Sequence, residues 1–162
     1  MKRKTLFLCY AAIIAAMYVA LTLVSSAFGL SSGVIQCRLS EALCVLPIFT
    51  PAAVPGLTVG CLIANLFTPG VMWQDIIFGT LATFLGALGA YLLRKCRFLA
   101  PLPTVAANTL IIPFVLKFAY NVGDALPFLF LTVGIGEIIS AGVFGTVLLV
   151  SLYPIRNKIF KI

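Results

Sequence analysis

The sequence has 162 residues, of which 62% are hydrophobic and only 9% charged, with a formal net charge of +7. Soluble domains carry about a quarter charged residues, so an ordinary globular domain is excluded; a single integral membrane domain over residues 1–162, with five or six spans of roughly 20 residues each, accounts for the length. There is no histidine and no G-x-x-x-x-G-K-[ST], which removes His-based metal sites, Ser–His hydrolysis and P-loop nucleotide hydrolysis.

The positive charge is clustered. Nine of the 11 Lys and Arg fall in three groups: Lys2, Arg3 and Lys4; Arg94, Lys95 and Arg97; Arg156, Lys158 and Lys161. Each group flanks an apolar run, which is the pattern of positive-inside topology and of contact with anionic lipid rather than of nucleic-acid binding. The 5 cysteines show no C-x-x-C spacing and read as small buried hydrophobes, with no disulfide framework, metal site or cofactor expected.

Residues 5–24, TLFLCYAAIIAAMYVALTLV, form the first expected span. The basic start also suits a signal peptide, but the apolar run exceeds the usual core of about 7 to 15 residues, so a retained helix is expected. Ala12, Ala16 and Ala20 lie one above another, with Ala11 and Ala15 beside them; small residues at this spacing let a second helix approach closely in lipid. Residues 25–35 are rich in Ser and Gly and read as a loop.

Next comes the most polar stretch inside an apolar context. Gln36, Arg38 and Ser40 alternate, as in an extended entry, and Glu41 onward suits a short helix ending at Pro47. On a helix, Arg38 and Glu41 share a face. Ionisable groups at membrane depth are costly, so the two either form a structural ion pair or face a functional cavity. Thr50 is a good N-cap and Pro51 suits a first helical position, opening a third span over 51–67. Gly56, Gly60 and Ala64 give that span a flat ridge.

Residues 68–74 form a turn in which Trp73 either anchors at the interface or stacks on a flat ligand. The fourth span, 75–93, starts at Asp75, a residue that stabilises a helix N-terminus, and repeats the small ridge at Ala82, Gly86 and Ala90. The fifth, 104–120, is interrupted by Asn108 and Pro113, with Lys117 near its end, free to snorkel. Asn121 to Asp124 form another turn. The last span, 126–153, carries Glu137 roughly 15 Å deep, near mid-membrane. Six spans with both termini cytoplasmic place the basic clusters inside. The four acids, Arg38 and Lys117 then converge in the outer half, which predicts an outward-facing polar pocket in an all-α helical bundle.

The stretch RLSEALCVLPIFTPAAVPGLTVGCLIANL resembles the QueT family, queuosine-precursor substrate-binding (S) components of energy-coupling factor transporters, and the likeness continues through WQDIIFGTLAT and VGIGEIIS. The resemblance implies a six-helix S component, itself not an enzyme, in the cell membrane. It would capture a deazaguanine (7-cyano- or 7-aminomethyl-7-deazaguanine) outside and release it inside by toppling. Its partners would be a transmembrane coupling subunit, docked on Ala12, Ala16 and Ala20, and two ATPases. A guanine-like edge offers two donors that a carboxylate accepts in parallel, and a carbonyl that needs a donor. Glu137 and Glu41 are the expected carboxylates, Gln36, Arg38 and Asn121 the supporting polar groups, and Trp73 a stacking candidate. An S component for another small vitamin and a stand-alone secondary transporter are the alternatives. The latter often shows an internal repeat with paired broken helices, and no convincing repeat is visible.

Overall fold

The computed structural model describes residues 2–30 and 37–160. Each apolar run bounded by turn residues becomes a helix. Helix α1, Lys2–Ala27, ends where Gly29 takes a φ of 70°. A 3₁₀ helix, Leu39–Ile48, follows, then α2, Ala53–Phe67, α3, Trp73–Leu92, and α4, Pro101–Phe118. The final rod runs through α5, Leu126–Glu137, a π-helical segment, Ile138–Phe144, α6, Gly145–Leu152, and a short α7, Arg156–Ile159.

Among the described residues, six helical passes match the six expected, but they are unequal. Four are long and apolar enough to cross a membrane: Arg3–Ala27, Trp73–Leu92, Arg97–Phe118 and Leu126–Ile159. The protein is therefore a multi-pass membrane protein. Helix α2 has 15 residues and reaches about 22 Å; the 3₁₀ helix of 10 residues reaches about 20 Å. Both fall short of the roughly 30 Å hydrocarbon core, so the expected full span over 51–67 is corrected to a shorter helix. Thr50 still caps the entry to it, since its Oγ1 accepts the Ala52 N–H at 3.3 Å, although regular helix starts only at Ala53.

Small residues set the packing. A Cβ at Gly56 would lie 2.7 Å from the Ala11 carbonyl oxygen, and one at Gly60 would lie 3.0 Å from the Ala15 Cα. The Gly56–Gly60–Ala64 ridge therefore seats α2 against the Ala11, Ala15 and Tyr18 face of α1, and the two helices run parallel. The neighbouring Ala12–Ala16–Ala20 ridge points away from the bundle and is exposed. Gly86 and Gly89 do the same for α3 against Thr104 and Pro103 of α4.

The 3₁₀ helix occupies the centre, in contact with α1, α3, α6 and the π segment. Runs of this geometry beyond three or four residues are uncommon. With three residues per turn, Glu41, Cys44 and Pro47 stack on one buried line. The bundle thus has two dissimilar ends. One, the loop end, carries the 68–72 and 119–125 turns. The other, the basic end, carries Arg94, Lys95, Arg97, Arg156 and Lys158. There Phe160 stacks on Phe49 with centroids 5.4 Å apart, and the Tyr10 hydroxyl donates to the Ile159 carbonyl. The cysteines are mixed: Cys44 and Cys61 are buried as expected, whereas Cys9 and Cys96 are exposed, because they lie on the outward side of α1 and in the 93–100 connection.

Candidate functional site

The ion pair that the sequence suggests between Arg38 and Glu41 is replaced by a longer-range one. Arg38 precedes the 3₁₀ helix with extended backbone, φ −98° and ψ 109°, so it does not share a helical face with Glu41. Its Nη2 meets the Oδ2 of Asp75, at the start of α3, at 3.4 Å, the one ion pair among the described residues. Asp75 is only 5% exposed. The Tyr120 hydroxyl donates to the same oxygen at 3.2 Å and accepts the Met72 N–H at 3.0 Å. Partial burial, together with the Asp75 charge, lifts the Tyr120 hydroxyl above its ordinary range, against the pull of the Met72 bond, so it remains a donor at neutral pH.

These groups line a cavity of about 510 Å³ at the loop end, together with Thr22, Asn65 and Ile112. That volume falls within the roughly 300–1,000 Å³ of small-molecule sites. Asp75 Oδ1 is buried without a hydrogen-bond partner among the described residues, 3.2 Å from where a Cβ on Gly79 would stand. Asn65 makes only long contacts, 3.6 Å to the Cys61 sulfur and 3.5 Å to the Asp75 carbonyl, so its amide is available. Arg38 and Asp75 balance each other in charge. The wall therefore offers both hydrogen-bond donors and acceptors to a small molecule.

A second, much smaller chamber of about 20 Å³ also touches Arg38; Glu41, Asn108 and Glu137 line it. Glu41 is 2% exposed and well supplied with donors. The Tyr18 hydroxyl reaches its Oε1 at 2.5 Å, and the Cys44 thiol and Asn108 amide reach Oε2 at 3.3 and 3.4 Å. Glu137 is 8% exposed, stands immediately before the π segment, and its Oε2 has no partner among the described residues. Each glutamate sits where the helix departs from α geometry, and the two irregular segments pack against each other. This chamber holds about one water molecule, not a ring.

The sequence-predicted residues therefore divide. Arg38 lines both spaces, and Glu41 and Glu137 line the small one. Trp73 is 64% exposed at the start of α3 and lines neither, a position that suits interfacial anchoring. Asn121 has a φ of 50°, a turn geometry that Asn tolerates; its neighbours Tyr120 and Val122 line the large cavity, but it does not. Gln36 lies outside the described residues. Lys117, rather than snorkelling freely, donates to the Val122 and Asp124 carbonyls at 3.3 and 2.9 Å and clamps the turn. Asp75, Tyr120 and Asn65 are the cavity residues that sequence reasoning missed. The signal for Asp75 was available: a carboxylate beside an apolar run that also needs a home for Arg38.

A family model described as QueT transporter matches residues 8–154. The queuosine precursor transporter QueT of Lactococcus lactis subsp. cremoris (strain MG1363) is 38% identical over 82 residues, which cover 51% of this chain and 47% of that protein. The match thus spans about half the length of this curated relative. No solved structure matches the chain.

Proposed function

Because this chain belongs to the QueT transporter family, we propose that it is the membrane-embedded substrate-binding component of an energy-coupling-factor importer and that it captures a queuosine precursor. The observation that carries the proposal is the cavity of about 510 Å³ with the Arg38–Asp75 pair in its wall. Asp75 Oδ1, free of other partners, accepts from the amino and ring N–H edge of a deazaguanine. Arg38 or Asn65 donates to the ring carbonyl. Ile112 and Leu116 supply the apolar wall for the flat ring. Buried donors and acceptors that a wrong ligand leaves unpaired cost about 1–3 kcal/mol each, which gives the selectivity.

In this reading the loop end faces outward and both termini are cytoplasmic, since the basic end then lies inside. Energy comes from a coupling subunit and two ATPases, and the exposed Ala12–Ala16–Ala20 ridge is the docking face for the former. Cys96, exposed at the basic end, is expected to react with a membrane-impermeant thiol reagent only from the cytoplasmic side; labelling from outside would invert the topology.

The substrate is tested by calorimetric titration of purified protein with 7-cyano- and 7-aminomethyl-7-deazaguanine, thiamine and riboflavin. Binding of a deazaguanine alone supports the proposal. Binding of a vitamin in its place would reassign the pocket within the same class of importer. Uptake into vesicles by the chain without partners would instead mark a stand-alone secondary transporter.

A further inference from the structure

The basic end has a feature that substrate capture does not use. The described cations there, Arg94, Lys95, Arg97, Arg156 and Lys158, have no carboxylate partner, since the one ion pair among the described residues is at the loop end. The whole chain has only four acids, Glu41, Asp75, Asp124 and Glu137, and none lies in the basic connection or in the C-terminal segment. An anionic group on another molecule can therefore meet them without displacing an internal partner.

Two of these cations are held in place. The Arg97 guanidinium lies over the Tyr153 ring at 4.1 Å and over the Phe98 ring at 5.0 Å, and the Arg156 guanidinium lies over the same Tyr153 ring at 3.9 Å. One tyrosine thus gathers an arginine from the α3–α4 connection and an arginine from the chain's last helical turn. Arg156 Nη1 also donates to the Tyr153 carbonyl at 2.8 Å, whereas the Arg97 guanidinium makes no hydrogen bond among the described residues. Stacking fixes the guanidinium planes and leaves N–H groups to donate at their edges. Phe98, Leu99, Leu102 and Ile155 are exposed beside the pair, so the cluster sits where apolar surface meets charge.

We propose that Arg97 and Arg156, paired on Tyr153, form a headgroup site for an anionic phospholipid. The lipid phosphate accepts from the two guanidiniums, and its acyl chains lie along the exposed apolar side chains. Planar guanidiniums suit phosphate oxygens, and the adjoining apolar surface favours a lipid over a soluble anion or an acidic protein loop. The site is independent of the cavity at the loop end.

The test reconstitutes the full chain in bilayers of equimolar phosphatidylglycerol and phosphatidylcholine, extracts it gently, and counts retained lipids by native mass spectrometry. Basic groups at an anionic surface are worth about 1 kcal/mol each, so wild type is expected to retain phosphatidylglycerol about tenfold or more in preference. R97Q/R156Q should lose that preference, while the charge-matched K95Q/K158Q should keep it. Tyr153→Leu, which leaves both charges but removes the ring, should lose it, and Tyr153→Phe should not; melting curves in phosphatidylcholine check that each variant is folded. Equal retention of the two lipids by wild type overturns the proposal. So does equal loss in both double variants, which would mean diffuse charge rather than a site. Loss of co-purifying partner subunits from R97Q/R156Q with its lipid preference intact would make this end a protein interface instead.

Discussion

The large cavity and the small chamber share Arg38, yet their carboxylates are arranged in opposite ways. In the cavity, Asp75 gives one oxygen to Arg38 and Tyr120, and the other is buried without a partner among the described residues. In the chamber, Glu41 is saturated by Tyr18, Cys44 and Asn108, and Glu137 faces a space of about 20 Å³. A charged group deep in an apolar run draws attention because of its cost, but cost measures depth and not access. Asp75 Oδ1 and Glu137 Oε2 are alike in having no partner among the described residues; what separates them is the space beside each residue, about 510 Å³ against about 20 Å³. In the proposed reading the chamber's glutamates serve the packing of two irregular helices, and the cavity's aspartate serves recognition.

Substitutions test that contrast. Arg38→Gln should have the largest effect, because it touches both spaces. Removing one partner of a buried pair costs about 3–5 kcal/mol, and the 19% exposure of the Arg38 side chain places this case toward the lower end. Deazaguanine affinity should fall more than tenfold and the melting temperature should drop in the same preparation. Glu41→Gln should act on stability alone. An amide turns one acceptor into a donor facing existing donors, at about 1–3 kcal/mol, so a melting curve should shift down while calorimetric affinity stays within about threefold. Tyr120→Phe removes a single hydroxyl between Met72 and Asp75, worth about 0.5–1.5 kcal/mol; affinity should weaken about two- to tenfold with little change in melting. Ala16→Trp should leave ligand titration unchanged, and yet abolish co-purification with the coupling subunit, because bulk on the exposed ridge prevents close helix approach.

Much of the architecture is legible in the sequence because lipid enforces simple rules. Apolar runs of sufficient length, basic flanks and Gly or Pro breakers locate six helical passes to within a few residues. The spacing of Gly56, Gly60 and Ala64 announces a packing ridge, although which face of α1 receives it does not follow from the ridge itself. The centre is less legible. Nothing in the periodicity of residues 39–48 separates a 3₁₀ helix from an α-helix, and that difference decides that Glu41 stacks under Cys44 and that Arg38 is released toward α3. Asp75 stands 37 positions from Arg38, so their pairing depends on how α3 packs against the 3₁₀ helix. Read locally, Asp75 is a residue that suits any helix start, and that local sufficiency hid its second role.

The direct test of the division is a paired titration of the 7-deazaguanines into Asp75→Asn and Glu137→Gln. Asparagine keeps the size of Asp75 but offers a donor where the ligand has donors, and hydrogen bonds to charged groups contribute about 1.5–3 kcal/mol. Affinity of Asp75→Asn should therefore fall about tenfold to a hundredfold. Glu137→Gln replaces an oxygen that no neighbour uses, so affinity should stay within about threefold and the melting temperature should hold or rise. The reverse result, a folded Asp75→Asn that binds normally beside a Glu137→Gln that does not, would put the ligand at the buried glutamates and contradict the assignment of the large cavity.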